Sequence, residues 1–510
     1  MEDTSHGTVY LIGAGPGNPD LITVRGRQLL EQCDVVVYDN LIPDELIVRL
    51  PERVERRYVG KLASVHSLPQ DEINNLLVTL AKGGKRVARL KGGDPFTFGR
   101  GAEEATVLRQ HKIPYEIVPG VTAASAAMAY AGIPPTDRRK ASLVMYVTGH
   151  KGTQCESMVD WNWVAKAQFS TLVIYMGVGE LEHLAADLVA HGMAVDTPAA
   201  VIERGTFPTQ RVLTGRLDTI ATVAKENNVR PPSLIVIGHV IDLKDEIEWF
   251  AGRPLFGHRI MITRPADQAD VVYNTLRDLG AEVLSYPTIA TRAHIDKSGW
   301  QAMAGLGGDN RWLILTSENG VRYFIDQYVQ RFGDIRTLSA YKIAAIGFGT
   351  ARAMDEYHLK PDFVPEKATV NNLSREMVEK LDLDNAQVVR VRGNLADSTA
   401  EDALSAAGAK VVPVTVYETY TPTWPDNLKE KLFRFPPEFI VFTSGSSADG
   451  LVSNLNAEEI ARLRDAKVVS IGPSTTKVIE SHGMKVSIEA TTHSIPGVVE
   501  KLVEYVNSQR

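Results

Sequence analysis

Short apolar runs alternate with amphipathic stretches of helical period along most of the chain. Val9–Ile12, Val35–Tyr38, Val87–Leu90, Leu143–Val147, Leu172–Tyr175 and Leu234–Ile237 are each four or five residues long and almost wholly apolar. Runs that short, flanked by glycines or helical patterns, read as buried strands, and their alternation with helices predicts an α/β protein. After Ile237 the rhythm pauses in a charged stretch, Asp242–Glu248, and in Trp249–Gly257, which carries Gly252, Pro254 and Gly257; a fresh strand, Arg259–Thr263, follows. Such breakers mark a join near 252–258, so the expected modules are 1–252 and 258–510.

The second module echoes itself. Leu315-Thr316-Ser317 returns as Phe442-Thr443-Ser444, and Ile346-Gly347-Phe348-Gly349-Thr350 as Ile471-Gly472-Pro473-Ser474-Thr475, with 30 residues from Thr316 to Ile346 and 28 from Thr443 to Ile471. Each unit reads as a strand ending in small hydroxyl residues, a helix, then a strand ending in Ile-Gly that opens another helix. Hydroxyls and amides at such ends either meet an anionic ligand or cap their own helices.

The 510 residues carry 55 Lys+Arg against 62 Asp+Glu, a net charge of −7, which excludes the global basic field of a nucleic-acid binder. Two cysteines, Cys33 and Cys155, make neither a disulfide framework nor a C-x-x-C metal pair, so no metal is expected and a reducing compartment fits. The start, Met1-Glu2-Asp3, is acidic, and no run of about 18 apolar residues occurs. The expectation is a cytoplasmic protein with no membrane partner.

Gly13-Ala14-Gly15-Pro16-Gly17 follows the first strand and suggests a dinucleotide fingerprint, but G-x-G-x-x-G needs glycine where Asn18 stands, and Pro16 removes a backbone donor. A smaller or less anionic ligand suits the loop better. Asp39 ends the second run, at a strand terminus where α/β ligands collect; a ribose ligand, a base or an N-cap all remain open for it. Lys61 follows Gly60 after another strand-like stretch. Lys82, Lys85, Arg86, Arg89 and Lys91 put five cations into ten residues and lead into Gly92-Gly93-Asp94-Pro95. With Arg100, Arg138, Arg139 and Lys140 they offer enough positive charge for a polycarboxylate, or simply a solvated basic face.

These motifs resemble the uroporphyrinogen-III C-methyltransferase family over about 7–245. The resemblance runs through Gly13–Gly17, Tyr38-Asp39, Val59-Gly60-Lys61, Arg89–Phe96, Phe98-Gly99-Arg100-Gly101, Val118–Ala123, Tyr130–Pro134 and Thr148-Gly149-His150. It implies a two-subdomain tetrapyrrole-methylase fold that transfers methyl groups from S-adenosylmethionine to C2 and C7 of uroporphyrinogen III, giving precorrin-2 without a metal. It also implies Asp39 as proton acceptor, Lys61 as proton donor, and Pro16, Gly92, Gly93, Asp94, Thr97, Thr122, Ala123, Met176 and Gly205 around the methyl donor. Arg89, Lys91, Arg100 and Arg138 would then meet the eight carboxylates of the substrate. Where the family usually reads Pro-Leu-Thr-His-Arg, this chain has Pro134-Pro135-Thr136-Asp137-Arg138, and Thr97 replaces a common apolar residue, which touches local substrate contacts. The family is usually dimeric, so a homodimer through this half is expected.

Thr263-Arg264-Pro265, Thr316–Val321, Ile346-Gly347, Val416–Thr419, Phe442-Thr443-Ser444 and Ile471-Gly472-Pro473 resemble uroporphyrinogen-III synthase across about 258–510. That likeness implies a bilobed α/β fold, with lobe one 258–288 plus 421–510 and lobe two 289–420, crossing near Ser285–Thr291 and Thr415–Tyr420. It implies cofactor-free closure of hydroxymethylbilane to uroporphyrinogen III, with Tyr417 at the departing hydroxyl and Thr475 lining the cleft. Arg264, Ser317 and Ser444 are candidate substrate contacts or structural caps. The combined expectation is a bifunctional enzyme at the branch towards sirohaem and cobalamin. The competing readings are a nicotinamide-dependent dehydrogenase, a methylase with another acceptor, and a second half that only binds tetrapyrrole or regulates.

Overall fold

The apolar runs become strands covered by helices on both faces, as parallel sheets require. The computed structural model describes residues 6–51, 53–60, 68–149, 159–264, 270–424 and 426–509. The first sheet holds β1 (Val9–Gly13), β2 (Val35–Tyr38), β3 (Glu55–Tyr58), β4 (Val87–Lys91) and β5 (Tyr115–Val118), all parallel in the order β3-β2-β4-β1-β5. Ile12, Val36 and Leu90 face one core, Leu11, Val37 and Val87 the other. From β1 the chain leaves towards β2, and from the adjacent β4 it leaves the opposite way towards β5. The strand order therefore reverses between β4 and β1, which opens a crevice at their carboxyl ends.

The second sheet, β6 (Leu143–Thr148), β7 (Ser170–Tyr175), β8 (Pro198–Glu203), β9 (Arg211–Arg216) and β10 (Ser233–Ile237), runs β6-β7-β10-β8-β9. Only β6 and β7 pair in parallel; the other pairs are antiparallel. The expected join is packed rather than loose: Phe250 and Leu255 are buried, and the Trp249 indole N–H donates to the Ala129 carbonyl at 3.0 Å.

Beyond it come β11 (Arg259–Ile262) and β12 (Glu282–Ser285), then β13 (Ala290–Ala293), β14 (Arg311–Leu315), β15 (Lys342–Ala345), β16 (Gln387–Gly393) and β17 (Lys410–Tyr420), and finally β18 (Phe439–Phe442), β19 (Lys467–Ser470) and β20 (Val486–Glu489). A parallel sheet β12-β11-β18-β19-β20 closes across the gap in sequence, while β13-β17-β16-β14-β15 is parallel except for its edge pair β13/β17. Two compact units result, Met1–Tyr286 with Trp424–Arg510, and Pro287–Thr423.

Within the first unit, β12 and its neighbours pack on the amino-terminal half. Arg204 pairs with Glu282 at 2.8 Å, Arg277 with Asp20 at 2.7 Å, and Lys431 with Asp44. The buried Tyr273 hydroxyl donates to the Glu45 carboxylate. No helix among the described residues is long and apolar enough to cross a membrane.

Cys33 closes the helix Val24–Gln32, is fully buried, and its Sγ sits 3.1 Å from the Leu30 carbonyl. Burial pushes its thiol up to about 11, and thiolate is the reactive form. Cys33 should therefore resist iodoacetamide at pH 8 in the folded protein and label on unfolding in urea, read by peptide mass spectrometry. Native-state labelling at the rate of an exposed thiol would refute the burial argument. Cys155 lies outside the described residues.

Candidate functional site

The glycine loop after β1 and the one after β4 meet over the crevice. The Gly93 amide donates to the Gly15 carbonyl at 2.8 Å, the Gly15 amide to the Gly93 carbonyl at 3.2 Å, and the Ala14 amide to the Lys91 carbonyl at 2.8 Å. A Cβ on Gly120 would stand 2.2 Å from the Gly93 oxygen and 2.7 Å from the Gly13 Cα, so three backbones converge where no side chain fits. The helix after the first loop starts only at Val24, with Thr23 as its N-cap. No long helix opens directly on these glycines, which removes the phosphate cradle of a dinucleotide fold.

Asp94 holds the floor of this crevice. One of its oxygens accepts from the Phe96 and Thr97 amides and the Thr97 hydroxyl at 2.9–3.2 Å, and the other from the Gly120 amide at 3.0 Å. On the far wall, Thr122 precedes the helix Ala123–Tyr130. Tyr175 at the end of β7 accepts the Ala124 amide at 2.9 Å and stands 2.6 Å from the Thr122 Oγ1. Burial holds that phenol above its ordinary value, and either hydroxyl of the Thr122–Tyr175 pair can be the donor. The next residue, Met176, is exposed, as are Phe98 and Tyr146, whose rings pack on Tyr175.

Gly205 closes the circle against the helix Ala123–Tyr130, where its Cβ would lie 2.3 Å from that of Ala127. Its neighbour Thr206 accepts the Asn18 amide through Oγ1 at 2.9 Å, which ties this loop to the one containing Pro16. Phe98, Arg100, Met176, Arg204 and Thr206 all have φ between 51° and 70°. Left-handed non-glycine residues cost about 1–3 kcal/mol each and gather at functional sites. The structure thus brings Pro16, Gly92, Gly93, Asp94, Thr97, Thr122, Ala123, Met176 and Gly205 around one crevice.

Asp39 lies directly after β2 at the same sheet edge. Its Oδ1 accepts the Leu41 amide at 3.1 Å and its Oδ2 faces Arg89 Nη2 at 3.3 Å. Arg89 and Lys91 do not meet the expectation of exposed carboxylate receptors. They are 3% and 4% exposed because β4 is an inner strand, and both turn inward to Glu104 Oε1, at 3.2 and 2.9 Å. Burial, and then the Arg89 charge, hold the Lys91 ammonium below its ordinary value, against the pull of Glu104. Arg100 is exposed and pairs with Glu103 at 2.7 Å; Arg138 is exposed and makes no ion pair among the described residues. Lys61 and His150 lie outside the described residues.

The sequence reasoning missed Glu104, although a signal existed. Gly101, Glu104, Ala105 and Leu108 form the buried stripe of their helix, and a glutamate on the apolar spacing needs buried cations. Tyr175 was visible only as the end of a strand.

In the second unit, Ser317 caps the helix Glu318–Phe332, accepting the Gly320 amide at 2.9 Å, and stands 3.2 Å from the Tyr417 hydroxyl. Tyr417 stacks on Tyr323 with centroids 5.7 Å apart and faces Gly393, where a Cβ would meet its ring at 2.6 Å. Phe348 and Leu395, 82% and 71% exposed, stand just beyond the ends of β15 and β16.

In the first unit, Ser444 repeats the cap of Ser317, with φ −161° in both, and accepts the Ser447 amide at 3.3 Å. Thr475 is buried in the first turn of Pro473–Ser481. Arg264 is half-buried just after β11. Because that sheet is parallel, Arg264 and Ser444 share its carboxyl edge.

Residues 8–221 match the family described as Tetrapyrrole (Corrin/Porphyrin) Methylases, and residues 270–500 the one described as Uroporphyrinogen-III synthase HemD. The porphyrin biosynthesis protein HemD of Ruminiclostridium josui is 35% identical over 501 residues, 98% of each chain. The siroheme synthase of Nitrosomonas eutropha is 49% identical over 244 residues, 48% of this chain and 51% of its own, so the chain spans about half of that relative. Among solved structures, the uroporphyrin-III C-methyl transferase of Thermus thermophilus, complexed with S-adenyl homocysteine, is 37% identical with a TM-score of 0.40, covering 46% of this chain and 93% of its own.

Proposed function

The chain belongs to the family of bifunctional porphyrin biosynthesis proteins that set a tetrapyrrole methylase ahead of a uroporphyrinogen-III synthase, and on that premise we propose that it cyclises hydroxymethylbilane to uroporphyrinogen III and methylates the product at C2 and C7 to precorrin-2. The observation that carries the methylase reading is the crevice between β4 and β1, walled by glycine backbone and by Thr122 and Tyr175, with Asp39 on the same sheet edge.

The crevice fits S-adenosylmethionine by the chemistry of its donors. Gly93, whose Cβ position has no atom nearer than 3.8 Å, leaves room for a ligand to approach the backbone, and exposed Met176 offers a soft apolar contact. When bound there, S-adenosylmethionine supplies an electrophilic methyl group on a sulfonium. The chain itself aligns the electron-rich pyrrole carbon with that methyl, which is where most of the rate comes from. Asp39 then accepts the proton that the methylated macrocycle gives up. Arg138, exposed with no ion pair among the described residues, and Arg100, exposed but paired with Glu103, are the candidate contacts for substrate carboxylates. As in the family at large, a homodimer through the methylase half is the expected assembly.

For the synthase half, the supporting feature is the 3.2 Å approach of Ser317 and Tyr417. A phenol held by stacking can donate a hydrogen bond to a departing hydroxide and stabilise its developing charge. Ser317 and Ser444 serve first as helix caps.

The test is anaerobic incubation of the full chain with hydroxymethylbilane and S-adenosylmethionine, with products resolved by mass and isomer. Precorrin-2, with uroporphyrinogen III accumulating when the methyl donor is withheld, is expected. Only the spontaneous type I isomer would end the synthase reading, and unmethylated uroporphyrinogen III supplied directly would end the methylase one.

Gly205 gives a sharper check on the crevice. Gly205→Ala sets a methyl against Ala127 and should weaken S-adenosylhomocysteine binding by about tenfold, one to two kcal/mol of overpacking, while closure of hydroxymethylbilane is unchanged. Calorimetric titration decides it; unchanged affinity would take the 204–206 loop out of the site.

A further inference from the structure

Beneath the crevice lies a group of three buried charges, Glu104, Arg89 and Lys91, joined to the partly exposed Asp39. Glu104 is 0% exposed, and its Oε1 accepts from Arg89 Nε at 3.2 Å, Lys91 Nζ at 2.9 Å and Gln70 Nε2 at 3.1 Å. Arg89 spends its remaining donors on the Leu90 carbonyl at 3.1 Å and, through Nη2, on Asp39 at 3.3 Å. One guanidinium thus spans from a fully buried carboxylate to a partly exposed one.

Stability alone does not account for this arrangement. Taking each ion out of water costs several kcal/mol, and apolar residues of like volume commonly do as well or better in such places. The planar fork of arginine fixes direction, which a lysine or an apolar side chain cannot do. Asp39 itself sits in a turn, and the Leu41 amide holds only one of its oxygens.

We propose that Arg89 and Glu104 are positioning residues for Asp39: Glu104 orients the Arg89 fork, and the fork holds the Asp39 carboxylate at the crevice. The proposal rests on the reading of Asp39 as the proton acceptor. Neither residue touches substrate; both act through Asp39. Losing either leaves the carboxylate able to swing, and a displacement of about 1 Å at a reacting group can cost up to about 100-fold in rate.

The test is a set of double-mutant cycles in the full chain, with uroporphyrinogen III and S-adenosylmethionine as substrates. Arg89→Gln and Glu104→Gln should each lower kcat by about 10- to 100-fold and leave KM for both substrates within about threefold, with S-adenosylhomocysteine binding intact. In an Asp39→Asn background each should add less than about threefold, because residues acting as a unit are non-additive. Losses that multiply with that of Asp39→Asn would overturn the proposal while leaving the Asp39 reading standing. An active Asp39→Asn would overturn both. If Arg89→Gln no longer binds S-adenosylhomocysteine, Arg89→Lys keeps the charge, lacks the fork, and decides the matter by the same cycle.

Discussion

Asp39→Asn should lower methyl transfer to uroporphyrinogen III by about 100- to 10,000-fold, the usual contribution of a positioned general base. The amide keeps the size of the carboxylate and can still accept the Leu41 amide at the same turn, so the crevice should form. S-adenosylhomocysteine should bind with unchanged affinity, and hydroxymethylbilane should still be closed. Single-turnover kinetics read by mass separate these effects. If turnover instead fell with a matching loss of S-adenosylhomocysteine binding, Asp39 would be a wall of the site and not its base.

Glu104→Ala should be the most destabilising of the variants considered. It leaves Lys91 without its ion-pair partner and Arg89 with only the partly exposed Asp39, and breaking a buried ion group from one side costs about 3–5 kcal/mol. The urea midpoint for S-adenosylhomocysteine binding should fall accordingly. Without the Glu104 charge only the weaker pull of Asp39 opposes the burial that already holds the Lys91 ammonium low. The folded variant then binds fewer protons than the unfolded chain over a wider range below the ordinary lysine value of 10.5. Its stability should consequently rise with pH across that alkaline range more steeply than that of the parent. A flat response would mean that water reaches the cluster. Replacing Arg89, Lys91 and Glu104 together by apolar residues should restore stability but not turnover.

What the sequence made legible follows from where apolar residues were uninterrupted. The inner strands β1, β2, β4, β7 and β10 are nearly continuous apolar runs because helices cover them on both faces, and each fell where the pattern placed it. β9, Arg-Val-Leu-Thr-Gly-Arg at a sheet edge, has one polar or open side and left no such run. Nor did the α/β rhythm reveal that β8, β9 and β10 pair antiparallel, since a short apolar strand carries no sign of its direction. The echo in the second module was readable in residue names and is repeated in dihedral angles: Ser317 and Ser444 adopt the same extended cap, and Gly347 and Gly472 the same extended entry to a helix.

Charge was read less well. Five cations near β4 suggested a surface for a polyanion, yet two of them serve the interior. Composition counts charges without regard to the face of the strand on which they fall. Arg89 and Lys91 are two residues apart and so share one face of β4, and Glu104 completes that face from the next helix along the chain.

The contact of Glu45 with Tyr273 bears on descent. The carboxylate belongs to the amino-terminal half and the phenol to the first helix after β11, and both are buried against each other. A lineage that divided this gene between 252 and 258 would inherit two proteins, each with a polar group fitted to a neighbour it had lost. Substitutions at both positions would have to accompany the division, whereas changes confined to exposed stretches of the joining segment would pass unnoticed. The two halves of the gene are in this sense held together by their product.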